Sequence, residues 1–77
     1  MTRYAIVIEK AEHNYAAYAP DVPGCVATGE TLDEVKEQMR DALEFHFEAL
    51  AGDGEPIPPP ASTVDFVEVR TPVAQER

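Results

Sequence analysis

Cysteine is almost missing from this sequence: Cys25 is the single one in 77 residues. No disulfide can therefore close within the chain, which fits a reducing compartment. Basic side chains are scarce as well, six against fifteen acidic, giving a formal net charge of −9. Such a chain repels phosphate backbones and attracts basic partners, so direct binding of nucleic acid is not expected. Long apolar runs are absent. "RYAIVIE" is too short for the core of a secretory signal, and no stretch nears the roughly 18 apolar residues of a membrane helix. A cytoplasmic protein is the expectation.

Recognisable chemistry is scarce too. No glycine-rich phosphate cradle occurs, and "DGEPIP" lacks the oxygen-ligand spacing of a calcium loop. His46 has Ala42 and Leu50 one helical turn away on either side, so no second ligand shares its face. His13, between Glu12 and Asn14, reads as a solvated turn residue. Cys25 reads as a small buried residue rather than a nucleophile, and no serine or cysteine stands in a pattern that suggests a triad. No catalytic residue, metal ligand or cofactor is assigned.

What is present is a change of period. Arg3 to Glu9 reads as a strand with apolar side chains on both faces, followed by a polar link and a second strand from Tyr15 to Ala19. A short third strand runs from Cys25 to Glu30 and is weakened by Gly29. At Thr31 the signal switches to helix: Thr31 and Glu34 form a capping box. Leu32, Val35, Met39, Ala42, Leu43, His46 and Leu50 recur at spacings of three and four as the buried stripe. Asp33, Glu34, Glu37, Asp41, Glu44 and Glu48 fall outside it and make an acidic outer face. Gly52 or Gly54 ends the helix, and the proline run to Pro60 is a stiff return path. "TVDFVEV" sets Val64, Phe66 and Glu68 against Asp65, Val67 and Val69 as a last strand.

The order β-β-β-α-β specifies an α+β domain over residues 1–69 with a polar tail, 70–77. Right-handed crossovers are strongly preferred, so strand four should lie parallel to strand one, giving a mixed four-stranded sheet of order 3-2-1-4. One helix covers one face of that sheet. The other face is apolar as well and the core of so small a domain is limited, so a homodimer or homotetramer is expected.

The stretch "YAPDVPGCVATGET", with "YAIVIEK" before it and "FVEV" near the end, resembles the HicB family of antitoxins. The resemblance implies a partly degraded ribonuclease-H-like fold. It also implies a function: HicB-like proteins bind and neutralise small basic HicA toxins, which cleave mRNA. Many HicB proteins carry a further DNA-binding domain. Eight residues follow Val69 here, too few for a ribbon-helix-helix or helix-turn-helix, so a short form that does not bind operator DNA by itself is expected. Two other classes stand beside the antitoxin. A residual ribonuclease-H-like nuclease would need an acid in the middle of strand one; Glu9 stands at its end, and Asp65 lacks a partner. A self-associating binding domain without a toxin is the third.

The stretch "PDVPGC" has two expected roles. Pro20, Pro23, Gly24 and Cys25 make a structural corner. Asp21, held rigidly by it, is expected at the toxin interface together with Glu30, Glu34 and Glu37.

Overall fold

The computed structural model describes residues 1–73. Thr31 starts the longest element. Its backbone is extended (φ −130°, ψ 164°), and the Glu34 N–H donates to its hydroxyl at 3.0 Å. Helix α1 then runs Leu32–Gly52. The Glu34 carboxylate accepts from the Glu30 N–H at 2.7 Å, one residue ahead of the Thr31 N–H that a capping box would use. That longer reach ties the end of the preceding strand to the first turn of the helix. At the other end Gly54 is left-handed (φ 71°), the Gly54 N–H donates to Ala51 O and the Glu55 N–H to Leu50 O. This pairing is the Schellman closure.

Three strands precede the helix: β1 (Val7–Lys10), β2 (Tyr15–Tyr18) and β3 (Val26–Gly29), antiparallel and in the order β1-β2-β3. Ile8, Ala17 and Ala27 stand side by side across them and face the core, while Val7, Tyr18 and Val26 form the matching row on the opposite face. Helix α1 packs on β3 and β2. Ala17, Ala19, Val22, Cys25, Val35, Met39 and Leu43 are the buried core. Alanines on the sheet side let the helix come close. At Gly29 the approach is closest, because a Cβ there would lie 2.5 Å from the Val35 backbone nitrogen. Glycine weakens the strand locally and is what allows the first turn of α1 to sit on it.

The strands are shorter than the sequence pattern suggests. Tyr4 and Ile6 pack against the core, yet the β1 ladder starts at Val7 rather than Arg3. Its partner β2 stops at Tyr18, and the chain then turns at Pro20, which has no N–H to offer. Leu32 was expected in the buried stripe and is 51 % exposed. It lies one turn ahead of Val35, where the helix first meets the sheet. His46 is half-buried beside Phe47, whose ring centroid is 5.1 Å from that of Tyr4.

The fourth strand is the largest difference. Among the described residues the sheet has three strands, and the order 3-2-1-4 is not formed within the chain. Residues 63–69 join no ladder, and Val64, Phe66, Val67 and Val69 are 56, 86, 85 and 73 % exposed. Both sides of this segment carry large apolar side chains, whereas a single chain has one helix with which to cover one side. Of the expected tail 70–77, positions 70–73 are exposed and 74–77 lie outside the described residues. Among the described residues no helix is long and apolar enough to cross a membrane.

Candidate partner-binding surface

The corner between β2 and β3 is built from two successive tight turns: the Val22 N–H donates to Ala19 O at 3.1 Å and the Cys25 N–H to Val22 O at 3.2 Å. Gly24 carries the positive φ of 85° that the second turn requires. Pro20 and Pro23 lie on the outside, while Val22 and Cys25 point inward and are buried at 0 and 6 % exposure. Cys25 packs in the core, and burial pushes its thiol above its usual range, which disfavours the thiolate. Val22 is a core residue that the sequence pattern hides, because a lone valine between prolines has no periodicity to reveal it.

Asp21 sits on this corner and is already occupied. Its Oδ2 accepts from the Ala61 and Ser62 N–H groups, each at 2.8 Å, and its Oδ1 accepts from the Ser62 hydroxyl at 2.8 Å. The Ser62 backbone bond, then that of Ala61, then the Ser62 hydroxyl hold its carboxyl below the usual carboxylate range. Pro58, Pro59 and Pro60 have no N–H, so Ala61 and Ser62 carry the first two amide donors after the run, and one carboxylate clasps both. Tyr4 adds a second tie, its hydroxyl donating to Pro58 O. Ser62 and Pro58 were not singled out from sequence. The signal available was the position of the first two amides after a proline run.

The four carboxylates expected at one interface fall into two places. Asp21 precedes β3 and Glu30 follows it, so they lie at opposite ends of a strand about 13 Å long. Glu30, Glu34 and Glu37 gather at the start of α1, where Asp33 and Glu34 complement the helix dipole. Glu37 pairs with Arg40 at 2.8 Å. From Glu34 the acids continue through Glu37, Asp41, Glu44 and Glu48 at steps of three and four, all exposed. No basic residue stands in the last turn of α1. Acids carried toward a helix C-terminus work against its dipole. The charges of Glu44 and Glu48, beyond the first turns, therefore do not serve the helix that bears them.

Two further features complete the surface. On the face of the sheet away from α1, Tyr18 and Val26 are exposed beside Val7, Ala16 and Thr28, a shallow apolar patch that the chain itself leaves open. His13, 3.9 Å from Glu12, is exposed in the β1–β2 turn. Among the described residues no group of three His, Cys, Asp or Glu side chains is placed to hold a metal ion.

Comparison with known proteins gives a consistent picture. A protein from Archaeoglobus fulgidus designated UPF0150 is 39 % identical over 72 residues, which is 90 % of this chain and 97 % of that protein. Antitoxin HicB 1 of Photorhabdus laumondii subsp. laumondii is 36 % identical over 76 residues, 96 % of this chain and 49 % of the relative. The chain spans about half, or less, of the longer relatives it matches. Among solved structures, a chain of the HicA3 and HicB3 toxin-antitoxin complex superposes with a TM-score of 0.67 at 35 % identity, over 77 % of this chain and 70 % of that one. Residues 4–73, from Tyr4 through the corner, the clasp and the exposed segment, match the model of the HicB-like antitoxins of bacterial toxin-antitoxin systems, and the chain belongs to that family.

Proposed function

We propose that this chain is an antitoxin that binds and neutralises a small basic HicA-like toxin that cleaves mRNA. The observation that carries the reading is its likeness to a chain solved in a HicA–HicB complex. The exposed acidic stripe on α1 supports it independently, since clustered carboxylates attract a basic RNA-binding surface and compete there with phosphate. The role is one of binding rather than catalysis and needs no cofactor. Residues 1–69 act as the antitoxin domain, in the cytoplasm, as a homodimer or homotetramer, and the acidic chain does not itself bind nucleic acid.

Glu30, Glu34 and Glu37 meet the toxin's cations, with Asp41, Glu44 and Glu48 extending the same field along the helix. Asp21 contributes indirectly, by fixing the course of the chain after Pro60. The test is titration calorimetry against a HicA-like toxin, paired with rescue of cells expressing it. A complex whose affinity falls as salt rises, and falls again in an E37Q/D41N/E44Q variant, is the expected result. Absence of a complex at low salt, with no rescue, overturns the reading.

A further inference from the structure

We propose that the groove between the first residues of the chain and α1 is a binding site for a long-chain carboxylate, whose anionic head meets Lys36 and Arg40 and whose acyl tail lies along Leu43 and Phe47. The inference goes beyond the antitoxin reading and stands independently of it.

The groove changes character along one line of the helix. Lys36, Arg40, Leu43 and Phe47 follow one another at steps of four, three and four, so they share a face of α1. The first two are cations and the last two are apolar. All four line the groove, and Ile6 and Tyr4 form its other wall. The Tyr4 ring lies against that of Phe47, with centroids 5.1 Å apart, so the apolar end is walled by aromatic rings. Met39 and Leu43, 1 and 9 % exposed, belong to the core beneath. The groove is open and holds about 620 Å³, within the roughly 300–1,000 Å³ of small-molecule sites.

Charge selects the ligand. The chain carries a formal net charge of −9, yet three of its six basic residues, Arg3, Lys36 and Arg40, stand on this one groove. Glu44 is the one acid on its lining. Among the described residues no ion pair engages Lys36 or Arg3. Arg40 pairs with Glu37 at 2.8 Å, but both side chains are more than half exposed, and so exposed a pair holds weakly enough to exchange one carboxylate for another.

The order of the lining residues selects the ligand's shape. An anion without a tail gains nothing from Leu43 and Phe47, a neutral chain leaves the cations unused, and an alkyl cation is repelled by them. From Arg40 to Phe47 the helix rises about 10 Å, which suits an extended acyl chain of middle length. The backbone of the helix wall is paired within α1, so it offers no partners to a peptide's own N–H and C=O groups. An acyl tail asks for none.

The experiment uses the full chain and dodecanoate below its micelle threshold, at low salt, with calorimetry for affinity and side-chain resonances for location. The expected result is one dodecanoate per chain, shifting the signals of Ile6, Leu43 and Phe47. Decanoate, shorter by two methylene groups, binds about 10-fold more weakly. Dodecanol also binds about 10-fold more weakly, and acetate does not bind. The variant K36Q/R40Q, altered at two exposed positions and unchanged by circular dichroism, loses about 10-fold for dodecanoate and nothing for dodecanol. Equal binding of dodecanoate and dodecanol, or a K36Q/R40Q variant that binds dodecanoate like the parent, overturns the proposal. Shifts at Tyr18 and Val26 on the open face of the sheet, in place of those in the groove, overturn it as well. So does the absence of binding below the micelle threshold, including the case in which an acidic peptide fills the groove and dodecanoate does not.

Discussion

The corner at Ala19–Cys25 and the arm at 63–69 are both short, both rich in apolar and proline-flanked sequence, and they end up in opposite states. In the corner, two backbone turns close, Val22 and Cys25 enter the core, and Asp21 has three donors on its carboxylate. In the arm, regular alternation of the kind that specifies a strand leads to no ladder and to side chains in water. Regularity alone thus does not decide whether a segment is paired within one chain. A turn closes with its own atoms, whereas a strand acquires stability only from an edge and a face that something else must provide.

Substitutions in the body of the domain should have the largest effects. Met39, 1 % exposed beneath the sheet, should cost about 3 kcal/mol of stability as alanine, measured by urea denaturation at a concentration where assembly is constant. Gly29→Ala forces a methyl group onto the Val35 backbone and should cost about 2 kcal/mol. Equal stability of G29A and the parent would show that α1 can shift freely on β3.

The clasp should respond more weakly and in a particular pH range. The Asp21 carboxyl is held below its usual range by the Ser62 and Ala61 amides, so its folded value is the lower one. The stabilisation is then fully present above the unfolded value near pH 4, and is lost as pH falls through the lower, folded value. Exchange of the Ala61 and Ser62 amides should accelerate below about pH 4. In Asp21→Asn that acid-dependent step should vanish, with faster exchange at neutral pH. An unchanged acid profile in the variant would assign the ordering of Ala61 and Ser62 to Tyr4 and the prolines instead.

The smallest effect belongs to the arm. Phe66→Ser, at a position 86 % exposed, should change the stability of the dilute single chain by less than about 0.5 kcal/mol. A clear loss of stability under dilute conditions would mean that the arm packs on its own body, and the contrast with the corner would disappear.

Much of the domain is legible in the sequence, and the parts that are not share a cause. Thr31 and Glu34 announce the helix start, Gly54 and the prolines its end, and Val35, Met39 and Leu43 its buried side, because each is a local pattern. The three strands are placed to within a few residues. Hidden from sequence are Val22 in the core and the bond from Ser62 to Asp21, which spans 41 positions. Neither has a period or a local motif. Glu30, Glu34 and Glu37 could be placed together since they follow one another on one helix end. The sequence already sets a strand between Asp21 and these three; what it does not show is that the Ala61 and Ser62 amides occupy the Asp21 carboxylate.

The clasp also sets a path for mechanical force. Tension applied to the chain beyond Ser62, by a partner holding the arm, is borne first by the bonds from Ala61 and Ser62 to Asp21. From there it passes through the corner into β2 and β3, the strands on which α1 is packed. Residues 55–60 lie behind the clasp, between the end of α1 and Ala61, with Pro58 held in addition by the Tyr4 hydroxyl. Pulling on the arm therefore loads the sheet and leaves the C-terminal end of the helix unstrained, so an attached partner can be tethered firmly without unwinding it.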